Sequence, residues 1–112
     1  MILLISAQQP RLDGPVESRF GRSPWLVKVN TETLQWEAFA NPGASQSGGA
    51  GVAAAQFVIN QKANAVISGD FGPNAAGAFR AAGIDMHLFT HEITTVQQAV
   101  DSFKQEKLPA FK

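Results

Sequence analysis

The chain of 112 residues is long enough for one small domain, and its 45% hydrophobic composition allows a core without covalent cross-links. The absence of cysteine excludes a disulfide framework and thiolate ligands for zinc or an iron–sulfur cluster. Nine basic and nine acidic residues balance each other, which argues against non-specific nucleic-acid binding, because such binding requires an excess of positive charge.

Three strands are predicted in residues 1–40. The run ILLIS at 2–6 is almost wholly apolar, as in a strand buried on both faces, and it lacks the basic flank of a signal peptide. A polar loop follows. The segments PWLVKVN and LQWEAFA alternate in polarity on either side of the turn NTET, which predicts a β-hairpin with Leu34, Trp36 and Ala38 on one face.

Helices and strands alternate in the rest of the chain. The segment GGAGVAAAQFVINQK, which begins at Gly48, is apolar on nearly all sides and predicts a deeply packed helix. The run ANAVISG predicts a buried strand. Pro73 suits the first turn of a second helix, and Gly83 is placed to end that helix after Ala82.

A last strand and a last helix complete the chain. The segment IDMHLF predicts the strand by its alternation. Thr94 or Thr95 can cap the final helix, with Gln97 or Gln98 completing a capping box.

The order of these elements predicts the architecture. We expect one α/β domain over residues 1–112, with a five-stranded mixed sheet and helices packed on it. No apolar run is long enough to span a membrane, and the lack of cysteine fits a reducing compartment, so we expect a cytoplasmic protein.

The carboxyl edge of the sheet is the expected ligand site, because ligands of open α/β sheets bind beyond the carboxyl ends of parallel strands. Segments 6–8, 47–51 and 68–74 are predicted to converge there. Two of them begin helices, whose unpaired N–H groups favour negative charge by about 0.3–1 kcal/mol per anionic group. The candidate anion-binding residues are Gly48, Gly49, Gly51, Asp70, Gly72 and Asn74. Alternatively these glycines only make turns, since no Gly-Lys-Ser or Gly-Lys-Thr motif follows them.

Two arginines lie in the polar loop before the second strand. Arg19 and Arg22 flank Gly21 and could together clamp an anionic group. The alternative is a solvated turn in which they pair with Glu17 or Asp13, as surface charges commonly do. The sequence does not favour either interpretation.

The two histidines are the only candidate nitrogen ligands for a soft or borderline metal. His87 and His91 are four residues apart, but they straddle the end of a predicted strand, so they do not form the pair that a helix would present to a metal. The alternative is that each is a surface or edge residue.

Catalytic groups are difficult to assemble from this sequence. No Gly-x-Ser-x-Gly motif is present, and the first strand ends in Ser6 where a metal-dependent nuclease would need a carboxylate. Asp70 is the one carboxylate near the expected site, and we expect it to cap its own turn or orient loop amides. The sequence therefore predicts a protein without catalytic activity.

Three segments in order resemble the dinitrogenase iron-molybdenum cofactor biosynthesis family, and its small stand-alone members most of all. They are SRFGRSPWLVKVN, the long segment from GGAGVAAAQ to GDFGPNAAGAFRAAGI, and TTVQQAVDSFKQEKL. The resemblance covers residues 2–108, and the combination of the three motifs is far more specific than any one of them.

The resemblance implies a ribonuclease-H-like fold. It also implies carriage of an anionic iron–sulfur-type cluster, the iron-molybdenum cofactor or a precursor, during nitrogenase maturation, with cofactor-assembly proteins as partners. By motif, the residues that correspond to the family pattern are Arg19, Gly21, Arg22, Gly48, Gly49, Gly51, Gly69, Gly72, Pro73 and Asn74.

We therefore predict a non-enzymatic, cytoplasmic carrier that holds a metallocluster between the Arg19–Arg22 loop, called the arginine loop below, and the two glycine-rich helix starts. The alternative is an interaction or regulatory module without a small ligand, and possible homodimer formation fits either. For an interaction module, Trp25 and Trp36 of the hairpin would mark the partner surface. A simpler interpretation places at least one of these tryptophans in the core.

Overall fold

A computed structural model describes all 112 residues and contains the elements in the expected order. The strands are β1 (Ile2–Ala7), β2 (Trp25–Asn30), β3 (Trp36–Ala40), β4 (Ala65–Ser68) and β5 (Asp85–Leu88). The helices are α1 (Ala50–Asn60), α2 (Pro73–Ala82) and α3 (Val96–Lys104), and a 3₁₀ turn at Pro42–Ser45 precedes α1. No helix has both the length and the apolar character that crossing a membrane requires.

The five strands form one mixed sheet in the order β3-β2-β1-β4-β5. Strands β1, β4 and β5 are parallel, whereas β2 is antiparallel to both β1 and β3. The prediction of an α/β fold with a five-stranded mixed sheet and three helices is confirmed. Because β1, β4 and β5 run in one direction, the segments that follow them emerge at the same edge of the sheet.

Two apolar layers cover the sheet, and β1 contributes to both. Leu4 packs with residues of α1 and α2 on one face, whereas Leu3 and Ile5 pack with residues of α3 on the other. All three side chains are fully buried. The run ILLIS is apolar at successive positions because both faces of this strand are covered.

Helix α1 differs from its prediction in two respects. It begins at Ala50 and not at Gly48, because Gly49 adopts a left-handed conformation with φ 71° just before the first turn. It is also packed on one side only: Ala54, Ala55 and Val58 are buried, whereas the side chain of Val52 is half exposed. The sequence predicted deeper burial because residues on the outer face of the helix, such as Val52, are apolar as well.

The β-hairpin is confirmed, but Leu34 lies outside its second strand. Leu34 has φ 64° and belongs to the turn, where the Asn30 side-chain oxygen accepts hydrogen bonds from the backbone N–H groups of Glu32 and Thr33. Strand β3 starts at Trp36, whose side chain is 42% exposed. Trp25 is half-buried and packs against the α3 side of the core.

Helix α3 begins with the predicted capping box. Thr95 accepts a hydrogen bond from the backbone N–H of Gln98, and the Gln98 side chain accepts one from the backbone N–H of Thr95. Of the alternatives that the sequence offered, the structure selects Thr95 and Gln98.

We expect Thr95→Ala to lower the free energy of unfolding by about 1 kcal/mol, because the substitution leaves an N–H group of the first turn without its acceptor. Urea denaturation followed by circular dichroism would measure the change. Gln97→Ala is a suitable control, since the Gln97 side chain is exposed on the same helix and its one hydrogen bond is to Asp101. An equal loss in both variants would contradict the role of the cap.

Candidate ligand-binding site

A small cavity of about 190 Å³ lies where the arginine loop meets the starts of α1 and α2. Its position beyond β4, at the carboxyl edge of the parallel strands, agrees with the expected location. The lining residues are Arg19, Phe20, Gly21, Arg22, Ala50, Gly51, Asp70, Gly72 and Ala75.

Phe20 anchors the arginine loop in the core. Its side chain is 2% exposed, and its ring packs against Phe71 and Phe79 at centroid distances of 5.5 and 5.3 Å. Since Phe20 points inward, Arg19 and Arg22 on either side of it remain at the surface, at the mouth of the cavity. In the sequence this phenylalanine is visible only as part of the Arg-Phe-Gly-Arg motif, which does not indicate that its ring is an anchor.

Two buried polar side chains hold the loop in place. The Asn41 amide donates hydrogen bonds to the Phe20 carbonyl at 3.1 Å and to the Ser23 hydroxyl at 3.2 Å. The Asn41 side-chain oxygen accepts a hydrogen bond from the backbone N–H of Gly43 at 3.0 Å. Asn41 therefore ties the arginine loop to the segment that leads into α1. A single asparagine after a strand gave no signal of this in the sequence.

Backbone segments approach each other closely at and near the cavity, which explains one glycine of its wall, Gly21, and one outside the wall, Gly69. A Cβ atom added to Gly21 would lie 3.0 Å from the backbone nitrogen of Gly51. A Cβ atom added to Gly69 would lie 2.7 Å from the Cα atom of Ser18. These two positions therefore exclude larger side chains without a shift of the backbone.

The two helix starts at the cavity have no side-chain caps, in contrast to α3. Neither Gly49 before α1 nor Gly72 before α2 supplies a capping oxygen, and neither first turn contains an acidic residue. The N–H groups of Ala50, Gly51 and Ala75 have no acceptor within the protein. These donors are close together, since a Cβ atom on Gly51 would lie 3.9 Å from the Ala75 nitrogen. The cavity thus presents unpaired donors from two helices, which suits an anion.

The arginine side chains combine the two interpretations that the sequence left open. Arg22 lines the cavity and donates a hydrogen bond to the Gln46 carbonyl, which links the arginine loop to the segment before α1. Arg19 also lines the cavity, but its Nε atom lies 3.8 Å from the Glu17 carboxylate. The Arg19 side chain is 72% exposed, so this ion pair contributes little and leaves the guanidinium accessible.

Asp70 is the only carboxylate that lines the cavity. Its Oδ1 atom accepts a hydrogen bond from the backbone N–H of Phe71 at 2.9 Å, and its backbone bridges to Arg19. The carboxylate therefore holds its own turn, but its negative charge opposes binding of an anion.

Three predicted site residues lie outside the cavity wall. Gly48 and Gly49 are exposed ahead of α1, and Asn74 is exposed in the first turn of α2. Ser6, from the first predicted segment, is fully buried with its hydroxyl oxygen 2.7 Å from that of Ser68. Gln8 follows it but lines a separate cavity of about 430 Å³.

Neither histidine lines the 190 Å³ cavity, and the two histidines contact different residues. The Nδ1 atom of His87 is 3.2 Å from the Leu108 carbonyl, and its ring packs edge-on against Phe103. The His91 side chain is 93% exposed beside Glu92 and lines the 430 Å³ cavity. No group of three or more histidine or acidic side chains is placed to hold a metal ion. The 190 Å³ cavity therefore offers hydrogen-bond donors and guanidinium groups, and its only candidate metal ligand is Asp70.

Comparison with known families agrees with the motifs at this cavity. The sequence profile of the dinitrogenase iron-molybdenum cofactor family matches residues 1–106, which include all nine residues of the cavity wall. The chain belongs to this family. The prediction of the family from the three sequence segments is thus confirmed.

Known structures support the same relationship. The apo form of the orange protein from Desulfovibrio gigas has a TM-score of 0.91 and 35% identity, over 98% of this chain and 92% of that one. A NifB-like protein from Thermotoga, solved by NMR, has a TM-score of 0.83 and 26% identity, over 97% and 91% of the two chains. An uncharacterised protein of Methanocaldococcus jannaschii is 26% identical over 113 residues, which are 98% of this chain and 94% of the relative. The protein is therefore a small member of a cofactor-related family.

Proposed function

We propose that this protein is a non-enzymatic, cytoplasmic carrier that binds an anionic iron–sulfur-type metallocofactor, the iron-molybdenum cofactor or a precursor, during cofactor assembly. The observation that carries the proposal is the 190 Å³ cavity, which is lined by residues with unpaired N–H groups at two helix starts and by two arginines. The family match supports this chemical class of ligand. The similarity to the apo form of a protein named for its orange colour also favours a coloured bound state.

The residues of the cavity suit recognition of a cluster by its outer atoms. Bridging sulfides and anionic ligands of such a cluster accept hydrogen bonds, and Gly51, Ala75 and the guanidinium group of Arg22 can donate them. Direct coordination of iron by this cavity is disfavoured, because the chain has no cysteine and neither histidine lines the wall. We therefore infer that the cluster is held as cargo that can be passed on intact.

The fold assignment belongs to the same proposal. The strand order, with β2 antiparallel to the other strands, favours the ribonuclease-H-like arrangement. A nuclease activity is disfavoured, because the carboxyl edge of β1 and β4 carries only the carboxylates of Glu17 and Asp70, and Glu17 lies beside Arg19.

The direct test is anaerobic mixing of the purified protein with isolated iron-molybdenum cofactor, followed by gel filtration. We expect a coloured complex that elutes with the protein and contains iron, molybdenum and sulfide. A synthetic four-iron four-sulfur thiolate cluster would serve as a second probe, to separate general binding of anionic clusters from selection of the cofactor. Failure of both probes to co-elute at micromolar protein would contradict the proposal.

We expect Asp70→Asn to tighten binding of the cofactor by about threefold. The substitution removes a negative charge that repels the anionic cofactor, and the repulsion is small because the wall is open to solvent. The asparagine oxygen can still accept the hydrogen bond from Phe71, so the turn should persist. Anaerobic titration followed by visible absorbance would measure the affinity. Asp101→Asn, on the exposed side of α3, is the matched control and should leave the affinity unchanged. Weaker binding by Asp70→Asn would show that the carboxylate takes part in recognition.

A further inference from the structure

One edge of the sheet is covered by another segment of the chain, and the other edge is open. At one edge, the segment after α3 pairs with β5: the Leu88 N–H donates to the Pro109 carbonyl, and the Phe111 N–H donates to the Met86 carbonyl, each at 2.9 Å. At the other edge, β3 has no neighbour beyond β2. Natural proteins usually protect such an edge with proline, a bulge or an inward-pointing charge. Strand β3, with the sequence WEAFA, has no proline and pairs with β2 in continuous register, and the side chain of its one charged residue, Glu37, is exposed and not buried in the core.

The register of the hairpin shows which backbone groups of β3 are free. Opposite residues in an antiparallel pair alternate between hydrogen-bonded and non-hydrogen-bonded. The Asn30 N–H donates to the Gln35 carbonyl, and the Asn41 N–H donates to the Pro24 carbonyl, so the odd-numbered residues of this strand face β2. The N–H and C=O groups of the even-numbered residues therefore point away from the sheet. These residues are Trp36, Ala38 and Ala40.

These three positions are complementary to a second copy of themselves. With a twofold axis at Ala38, an antiparallel copy brings Trp36 opposite Ala40 and Ala38 opposite its own equivalent. All three outward-pointing residues then form hydrogen-bonded pairs, which gives six inter-chain backbone hydrogen bonds by the usual antiparallel rule. A register shifted by one residue would oppose outward-pointing groups with inward-pointing ones, and a shift of two residues would leave at least one outward-pointing residue of each copy outside the paired segment. Only the axis at Ala38 pairs all three outward-pointing residues of both copies.

The side chains fit the same arrangement. Trp36 and Ala40 are both exposed in the monomer, and Trp36 is one of only four large hydrophobic residues with high exposure. In the twofold pair, each indole lies over the small side chain of Ala40 of the other copy, where no larger group blocks it. On the opposite face, Glu37 lies across from Phe39 and not from a second Glu37, so the pairing sets no two like charges directly opposite each other.

We propose that β3 is an interface between two copies of this chain, which pair edge to edge and continue the sheet through a twofold axis at Ala38. A five-residue edge with one indole from each copy is smaller than the roughly 1,200–2,000 Å² that stable interfaces bury, so the dimer is a weak and reversible one. The carboxyl end of β3 leads towards the ligand cavity, and the antiparallel pairing places the two cavities at opposite ends of the joined sheet. The interface and the ligand site are therefore independent.

Sedimentation equilibrium from about 10 μM to about 1 mM protein tests the proposal over the range expected for a weak interface. We expect the mean mass to rise from the 11.9 kDa monomer towards twice that value. In a Trp25→Phe background, fluorescence of Trp36 should shift to shorter wavelength over the same range, because the indole becomes covered. A protein that remains monomeric at the highest concentration overturns the proposal, whatever its behaviour towards the cofactor.

Two lysine substitutions locate the interface. Ala40→Lys places a charged side chain against Trp36 of the second copy but points to solvent in the monomer, and we expect it to weaken association by at least tenfold. Val52→Lys changes the exposed residue on α1, away from β3, and should associate as the unmodified chain does. Circular dichroism would show that both variants are folded. If Ala40→Lys dimerises normally, or if Val52→Lys alone abolishes dimerisation, the interface is elsewhere and the proposal is wrong.

Discussion

Replacing both Arg19 and Arg22 by glutamine is expected to weaken binding of the isolated iron-molybdenum cofactor by about 30-fold. Arg22 supplies most of this loss, because a charged hydrogen bond contributes about 1.5 kcal/mol or more when its partner is held in a cavity. Arg19 is largely exposed, so solvent screening limits its share to about threefold. Anaerobic titration of the double variant and of both single variants would separate the two contributions.

The control for this experiment is Arg11→Gln. Arg11 lies earlier in the connection between β1 and β2, where it pairs with Asp13 and does not line the cavity. Its substitution removes one positive charge from the chain without changing the wall, and we expect unchanged affinity. The effect of the double variant should also shrink as salt concentration rises, because salt screens exposed charges. Equal losses in Arg11→Gln and Arg22→Gln would mean that only net charge matters, and the proposed wall would then be wrong.

Phe20→Ala is expected to cause the largest loss of stability, about 3–5 kcal/mol in the free energy of unfolding. The ring is 2% exposed and contacts Phe71 and Phe79, so its removal leaves a void among aromatic side chains that do not collapse easily. Urea denaturation measures the loss. Because this ring also positions Arg19 and Arg22, cofactor binding should weaken even where the variant is folded.

A comparison with the apolar layer on the other face of the sheet makes this prediction specific. Phe103→Ala removes a half-buried ring on the α3 side of the sheet, and we expect a smaller loss of stability and no change in cofactor affinity. Phe20→Leu retains much of the buried volume and should keep most of the binding. A Phe20→Ala protein with normal stability and normal affinity would contradict the anchoring role of this residue.

The sequence predicted most elements because their signals are local. The apolar run of β1, the alternation of β2, Pro73 at the start of α2 and the Thr95 cap each depend on neighbouring residues. The errors also have local causes. Leu34 fits the alternating pattern, but the Asn30 side chain binds the turn backbone and Leu34 has a positive φ, so the strand begins only at Trp36.

The candidate site was predicted in outline only. The glycine-rich helix starts and the arginine pair were visible as motifs, and six of the nine predicted anion-binding residues line the cavity. The exceptions, Gly48, Gly49 and Asn74, follow from the direction of each helix start, which a motif does not contain. The contribution of Asn41 could not be foreseen, because its partners are about 20 residues away in the chain.

By itself the sequence determined the order of strands and helices, the family, and the kind of donors available to a ligand, since each depends on residue type and local spacing. Only the tertiary structure decided which donors face one cavity, that the histidines are elsewhere, and that one sheet edge is covered while the other is open. These features depend on contacts between distant segments, such as Phe20 with Phe79 or Leu88 with Pro109. Such contacts are fixed by packing of the whole chain and leave no periodic trace in any one segment.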